Sequence, residues 1–247
     1  MTSSLVVVDL YPSLLQPEGD HGNAVALVHR ARLRGADAEL VVLHPGDELP
    51  RADVITIGGS IDVDLPTCAR LLHESGWLRE QWEGGAVVLG VGGGFCVIAQ
   101  SFALTDGASE STTHRAAGLL DVHVEAAPLA SGPVVTAPNR ALGLPSLSGY
   151  EFHAARAIRA AGVAPFAELE VGVGDRLVGQ QTPSVEGAVA DRVIGTWLHG
   201  PLLPRNPEVT DLMLNWLDRD LPKIAADVDE LAASVRSVRI QQARLNT

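Results

Sequence analysis

Residues Val87-Val88-Leu89-Gly90-Val91-Gly92-Gly93-Gly94-Phe95 constrain the fold more than any other stretch of this chain. A strand with no polar alternation is buried on both faces, as in a parallel sheet covered by helices. Three glycines follow at once, and Phe95 to Phe102 then reads as a helix. A buried strand that turns sharply into a helix has the form of a nucleophile elbow, in which a strained Ser or Cys stands exposed beside oxyanion-stabilising amides. Here the corner residue is Gly92, which carries no nucleophile. The same glycines suit an anion-binding nest at a helix N-terminus, or a plain tight turn. Spacing alone leaves these readings open.

The rest of the first hundred residues repeats the pattern. Leu5 to Val8 is an apolar strand, Ala24 to Arg34 a helix with Val25, Val28 and Leu33 on its apolar face, and Ala38 to Leu43 a second strand. Ala52 to Ile57 is a third strand running into Gly58 and Gly59; Pro66 to Trp82 is helical, and Ala86 to Val91 is the fourth strand. Strand–helix alternation predicts an α/β fold with a mostly parallel sheet and helices on both faces. Ligand-binding loops of such sheets lie at the carboxyl ends of the strands, here residues 9–23, 58–62 and 90–94.

The middle, 105–190, shows only short apolar runs at 119–124 and 132–135, and a late strand at 193–198 ends at His199-Gly200-Pro201. Pro207 to Leu217 is a helix with proline in its first turn. Ile224, Val228, Leu231 and Val235 have helical spacing. One domain over 1–217 and a helical tail over 218–247, docked on the body or on a partner, are expected.

Composition removes several function classes. The net charge is −12 with no basic run, which argues against a nucleic-acid partner. No apolar run approaches the roughly 20 residues of a membrane span, and the N-terminus lacks the basic region of a signal peptide, so a cytoplasmic setting is expected. Cys68 and Cys96 form no disulfide framework. Asp20 and His21 lack a third spaced ligand, so no metal is expected, and no cofactor either. Lys223 is the single lysine among 18 basic residues, a composition typical of GC-rich genomes.

Several segments together carry a family resemblance. They are Asp9-Leu10-Tyr11-Pro12, Gly19-Asp20-His21-Gly22-Asn23, Ile57-Gly58-Gly59, Leu89 to Ala99, Gly118 to Asp121, Gly149-Tyr150-Glu151-Phe152-His153, and Gly195 to Leu203 with Asn206-Pro207-Glu208. The chain resembles class I glutamine amidotransferases of the cobyric acid synthase type, and among them the glutaminase subunits of lipid II isoglutaminyl synthases, which pair with a Mur-ligase-like subunit.

The resemblance implies that a Cys at the elbow attacks the glutamine amide, with His199 as its base or orienting partner. Gly58, Gly59, Gly93 and Gly94 would line the oxyanion site, and Asp20, His21, Glu151 and His153 would contact substrate. The family's Cys aligns with Gly92. Cys96 lies one helical turn on, about 6 Å along the axis, while attack geometry tolerates about 1 Å of misplacement. Three readings follow. One is a glutaminase-deficient partner of a Mur-ligase-like, ATP-dependent enzyme. Another is an enzyme repurposed, in secondary metabolism for example, to a small-molecule ligand held at the elbow. The third is an active or engineered glutaminase.

Overall fold

The computed structural model describes residues 4–15, 19–59, 64–105, 111–177, 184–217, 221–222, 224 and 229–245. The first half runs β1 (Leu5–Leu10), α1 (Pro12–Leu15), α2 (His21–Leu33), β2 (Ala38–Leu43), β3 (Val54–Ile57), α3 (Leu65–Ser75), α4 (Trp77–Glu83), β4 (Val87–Val91) and α5 (Gly93–Ile98). Seven strands follow: β5 (Ser101–Thr105), β6 (Ser111–Arg115), β7 (Val122–Thr136), β8 (Ser148–Arg159), β9 (Ala167–Val171), β10 (Ser184–Glu186) and β11 (Ala188–Ala190). The chain closes with β12 (Val193–Thr196), α6 (Leu202–Arg205), α7 (Pro207–Asn215) and α8 (Glu230–Leu245).

The strands form two sheets. The first has the order β11-β12-β4-β3-β1-β2 and is parallel except for β11. Leu5 and Val7 of β1 enter one core with Ala24, Leu27 and Ala31 of α2 and Met213 of α7. Val8 and Leu10 enter the other, with Leu72 of α3 and Phe95 of α5. Period-two alternation between two dry faces is why these strands read as unbroken apolar runs. Each fully buried Leu or Val contributes roughly 1.5–3 kcal/mol.

The middle of the chain builds the second sheet, of order β10-β9-β7-β5-β6 with β8 also on β7, and mostly antiparallel. The short runs at 119–124 and 132–135 belong largely to one long strand, β7, interrupted by a register shift between Ala126 and Ala130. A backbone pair ties β8 to the segment after β12: the Tyr150 N–H donates to the His199 carbonyl at 3.1 Å, and the His199 N–H to the Tyr150 carbonyl at 2.8 Å.

Four sequence expectations change. The helix expected to reach Phe102 stops at Ile98, and Phe102 lies in β5. The helical region 66–82 is two helices, broken at Gly76. The buried stripe of α2 is Ala24, Leu27, Val28 and Ala31, at i, i+3, i+4 and i+7 on one face, whereas Val25 and Leu33 lie off that face and are exposed. In the tail, α8 begins only at Glu230 and leaves Leu231 and Val235 exposed; Arg236 and Ala243 face inward, Ile224 is outside the helix, and Val228 lies outside the described residues. No helix of the described residues is long and apolar enough to cross a membrane.

Candidate functional site

At the end of β4 the backbone of Gly92 takes φ 56° and ψ −115°, a combination that only glycine adopts without strain. Its N–H is held by the Thr196 carbonyl of β12 at 2.9 Å, and its own carbonyl accepts from Phe95 N–H at 3.0 Å as α5 begins. The turn is therefore fixed on both sides.

His199 faces this corner. Its Nδ1–H donates to Asp20 Oδ2 at 3.0 Å, which aims Nε2 at Gly92. A Cβ built on Gly92 would stand 2.7 Å from His199 Nε2, 2.5 Å from its Cε1 and 2.4 Å from the Gly59 carbonyl oxygen. The imidazole thus occupies the space beside the corner. His199 is only 3% exposed, and among the described residues Nε2 has no hydrogen-bond partner, nor does Asp20 Oδ1. Buried unpaired polar atoms are uncommon in folded chains and concentrate where function requires them.

The loop that carries His199 is held by two asparagines. Asn206 accepts from Ser148 N–H and donates to the Ser148 and Leu202 carbonyls, and Asn23 of α2 accepts from Leu203 N–H at 2.9 Å. Asp20 stands at the N-terminus of α2 yet makes no side-chain cap there. Its Oδ2 instead accepts from both His199 Nδ1 and Gly59 N–H, the latter at 3.1 Å.

Two of the four glycines expected at the oxyanion site, Gly59 and Gly93, have amides engaged within the fold. Gly59 N–H goes to Asp20 Oδ2, and Gly93 N–H donates to the Gly59 carbonyl at 2.6 Å. Gly58 packs on the Asp20 side chain and Gly94 on the backbone of Ile57, each too closely for a Cβ. Asp20, Gly58, Gly59, Gly92, Gly93, Gly94 and His199 therefore come together from four separate stretches of chain.

The remaining candidates do not join them. His21 turns to Asp9, with Nδ1 2.7 Å from Oδ2. Cys96 is buried in the core beneath the elbow, and burial pushes its thiol up to about 12, which leaves it protonated and a poor nucleophile at neutral pH. Cys68 is also buried, within α3. Among the described residues no three His, Cys, Asp or Glu side chains group as metal ligands.

Glu151 and His153 enter a different polar cluster, built around Trp197. Glu151 accepts from Val173 N–H at 2.7 Å and Gly174 N–H at 2.8 Å, and its Oε2 lies 3.3 Å from His153 Nε2. His153 stacks on the Trp197 ring with centroids 4.6 Å apart. Two further carboxyls, with no signal in the sequence, complete the cluster. Asp175 accepts from Trp197 Nε1–H and pairs with Arg159, and Glu186 accepts from Trp197 N–H at 2.9 Å and the Thr196 hydroxyl at 2.8 Å. The cluster fixes Thr196 and Trp197, the two residues that lead into His199.

Burial pushes Glu186 up to about 8, against the pull of the Trp197 N–H and the Thr196 hydroxyl. Folded Glu186 keeps its proton from about pH 4.5 to 8, where the unfolded chain releases it. The native state then binds more protons, so stability falls as pH rises through that window, with a slope of up to about 1.4 kcal/mol per pH unit. Denaturant midpoints measured from pH 5 to 8 are expected to decline, and Glu186→Gln to flatten the decline. Burial also raises Asp175, so a smaller slope should persist in that variant.

Comparison with known proteins agrees with this architecture. Residues 23–207 match the CobB/CobQ-like glutamine amidotransferase domain. The chain is 27% identical over 198 residues to the GatD subunit of the glutamine-hydrolysing lipid II isoglutaminyl synthase of Staphylococcus aureus, covering 79% of this chain and 76% of that one. It is 32% identical over 174 residues to the cobyric acid synthase of Sphingopyxis alaskensis, covering 66% of this chain but only 32% of that longer protein. Among solved structures, a glutamine amidotransferase from Thermotoga maritima superposes with a TM-score of 0.51 at 12% identity, covering 96% of this chain and 94% of that one. A second glutamine amidotransferase structure gives 0.51 at 18% identity, covering 85% and 97%. At that identity the likeness establishes the class I glutamine amidotransferase fold. With three quarters of its length inside the matched domain, the chain belongs to the CobB/CobQ-like glutamine amidotransferase family.

Proposed function

We propose that this protein is an amidotransferase-like subunit without glutaminase turnover, and that it serves as the partner of a Mur-ligase-like, ATP-dependent amidating enzyme. The observation that carries the proposal is the corner itself: Gly92 offers no side chain, and His199 and the Gly59 carbonyl stand where a Cβ would go. The Gly59 and Gly93 amides, bonded within the fold, support the same reading. The staphylococcal relative is named as one subunit of its synthase, which favours a partner here too. ATP use by such a ligase argues for a cytoplasmic complex.

The test combines the purified chain with a Mur-ligase-like protein from the same organism. Loss of a triad nucleophile costs about 10⁶ in turnover, so ammonia release from glutamine should stay at background. The two proteins should co-purify, and amidation should proceed with ammonium salts but not with glutamine. Glutamine-dependent amidation would overturn the proposal. A second reading, a repurposed enzyme, is favoured by the unpaired His199 Nε2, which could accept a hydrogen bond from a carboxyl or hydroxyl ligand at the corner. An active glutaminase through Cys96 is disfavoured by the buried, protonated thiol.

A further inference from the structure

Two cavities of about 360 and 400 Å³ lie between β8, the loop after His199, α6 and α8, and share Ser148, Gly200, Arg205 and Arg239 in their walls. Such volumes are ample for a small metabolite. Neither wall contains an acidic side chain.

The two arginines are unusual in this acidic chain. Other arginines of α8 are neutralised: Arg236 forms a two-pronged pair with Glu208, and Arg244 pairs with Glu170. Among the described residues, Arg205 and Arg239 have neither an ion pair nor a hydrogen bond. Arg205 is partly buried against Gly200, where an added Cβ would stand 2.7 Å from its Cζ. Burial and then the charge of Arg239 both lower its pKa, so the pair is held together at a cost that an anion would remove.

An independent observation comes from the same walls. Ser148 is 3% exposed, lines both cavities, and its Oγ has no hydrogen-bond partner among the described residues. Its backbone N–H and carbonyl are clamped by Asn206 at 3.0 Å each, which fixes where the hydroxyl starts from. A buried hydroxyl and two guanidinium forks offer donors with no competing carboxylate. That set matches a tetrahedral oxyanion with several acceptor oxygens.

We propose that Ser148, Arg205 and Arg239 form a binding site for the phosphate group of a small phosphorylated metabolite, in two cavities of which the first reaches His199 and neither is lined by Gly92. Arg239 comes from α8, beyond the matched domain, so the tail completes the site. The proposal does not depend on the proposed partnership with a ligase.

Calorimetric titration of the full chain with inorganic phosphate at low ionic strength tests it, with glycerol phosphate as a second titrant. Saturable binding is expected, weakened by added salt as charged contacts are screened. Arg239→Ala, at an exposed position that leaves the fold intact by circular dichroism, should weaken binding about tenfold or more, and Ser148→Ala several-fold. Tighter binding of glycerol phosphate than of phosphate would support an esterified ligand; equal binding would point to free phosphate and overturn the metabolite. Absence of saturable binding, or equal binding by Arg239→Ala, would overturn the site. So would displacement of phosphate by glutamine, which would make the cavities part of an amide-substrate pocket.

Discussion

Gly92→Cys is expected to lower stability by about 2–4 kcal/mol and to leave ammonia release from glutamine at background. A side chain at φ 56° and ψ −115° carries a strain of order 1–3 kcal/mol. Its Cβ would also stand 2.4 Å from the Gly59 carbonyl oxygen, a backbone atom already held by the Gly93 N–H, and 2.5 Å from His199 Cε1. Overpacking of this kind adds about 1–3 kcal/mol. Relief requires the imidazole to retreat, which pulls Nδ1 away from Asp20 and spoils the alignment that attack needs. Denaturant midpoints for Gly92→Ala give the stability cost without a thiol, and an ammonia assay on Gly92→Cys gives the chemistry. Ammonia release rising by orders of magnitude would show that Gly59 and His199 yield at little cost, and would leave the missing nucleophile as the sole defect of the site.

The second large effect concerns Gly59→Ala. At φ 112° its Cβ would lie 1.6 Å from the Leu15 carbonyl oxygen and 2.5 Å from the Leu15 carbonyl carbon. Two backbone segments would have to part by more than an ångström, and the Asp20 and Gly93 hydrogen bonds to Gly59 would go with them. A loss of about 4 kcal/mol or more is expected, a large share of the 5–15 kcal/mol that holds a typical domain. Gly85 supplies the control. It has nearly the same φ, 106°, with nothing within 4 Å of its Cβ position. Gly85→Ala should show the backbone strain alone, about 1 kcal/mol. For a chain of this size the melting temperature should drop by roughly 10 °C in the first variant and by a few degrees in the second. Equal shifts would mean that the contact with Leu15 is not what restricts position 59.

The parts of the fold that could be read from the chain are those where burial is two-sided. β1, β3 and β4 announce themselves as apolar runs, and the glycines at 58–59 and 92–94 mark where the loops after β3 and β4 turn. The second sheet is harder to see, because one face of its strands meets solvent and β7 loses register in its middle. β5 hides behind α5: Ala99 goes extended and the Gln100 N–H pairs with Val122, where the apolar sequence would have continued a helix. At the site, the grouping of Gly59, Gly92 and His199 follows from motif resemblance, but the Asp20–His199 bond spans 179 positions and no local pattern predicts it. Glu151 and His153 occupy the inward phase of β8, with Tyr150 and Phe152 on its exposed face. Strand periodicity sends them to Trp197 rather than to the corner.

One oxygen atom, Asp20 Oδ2, holds both the His199 ring and the Gly59 amide. Two groups tethered to one acceptor do not move as separate parts. Anything that draws that carboxylate aside frees the imidazole and the loop amide in the same event, and anything that occupies either group changes how firmly the other is held. The corner therefore has a single latch for both sides, and a partner protein that shifts the N-terminus of α2 would open them together.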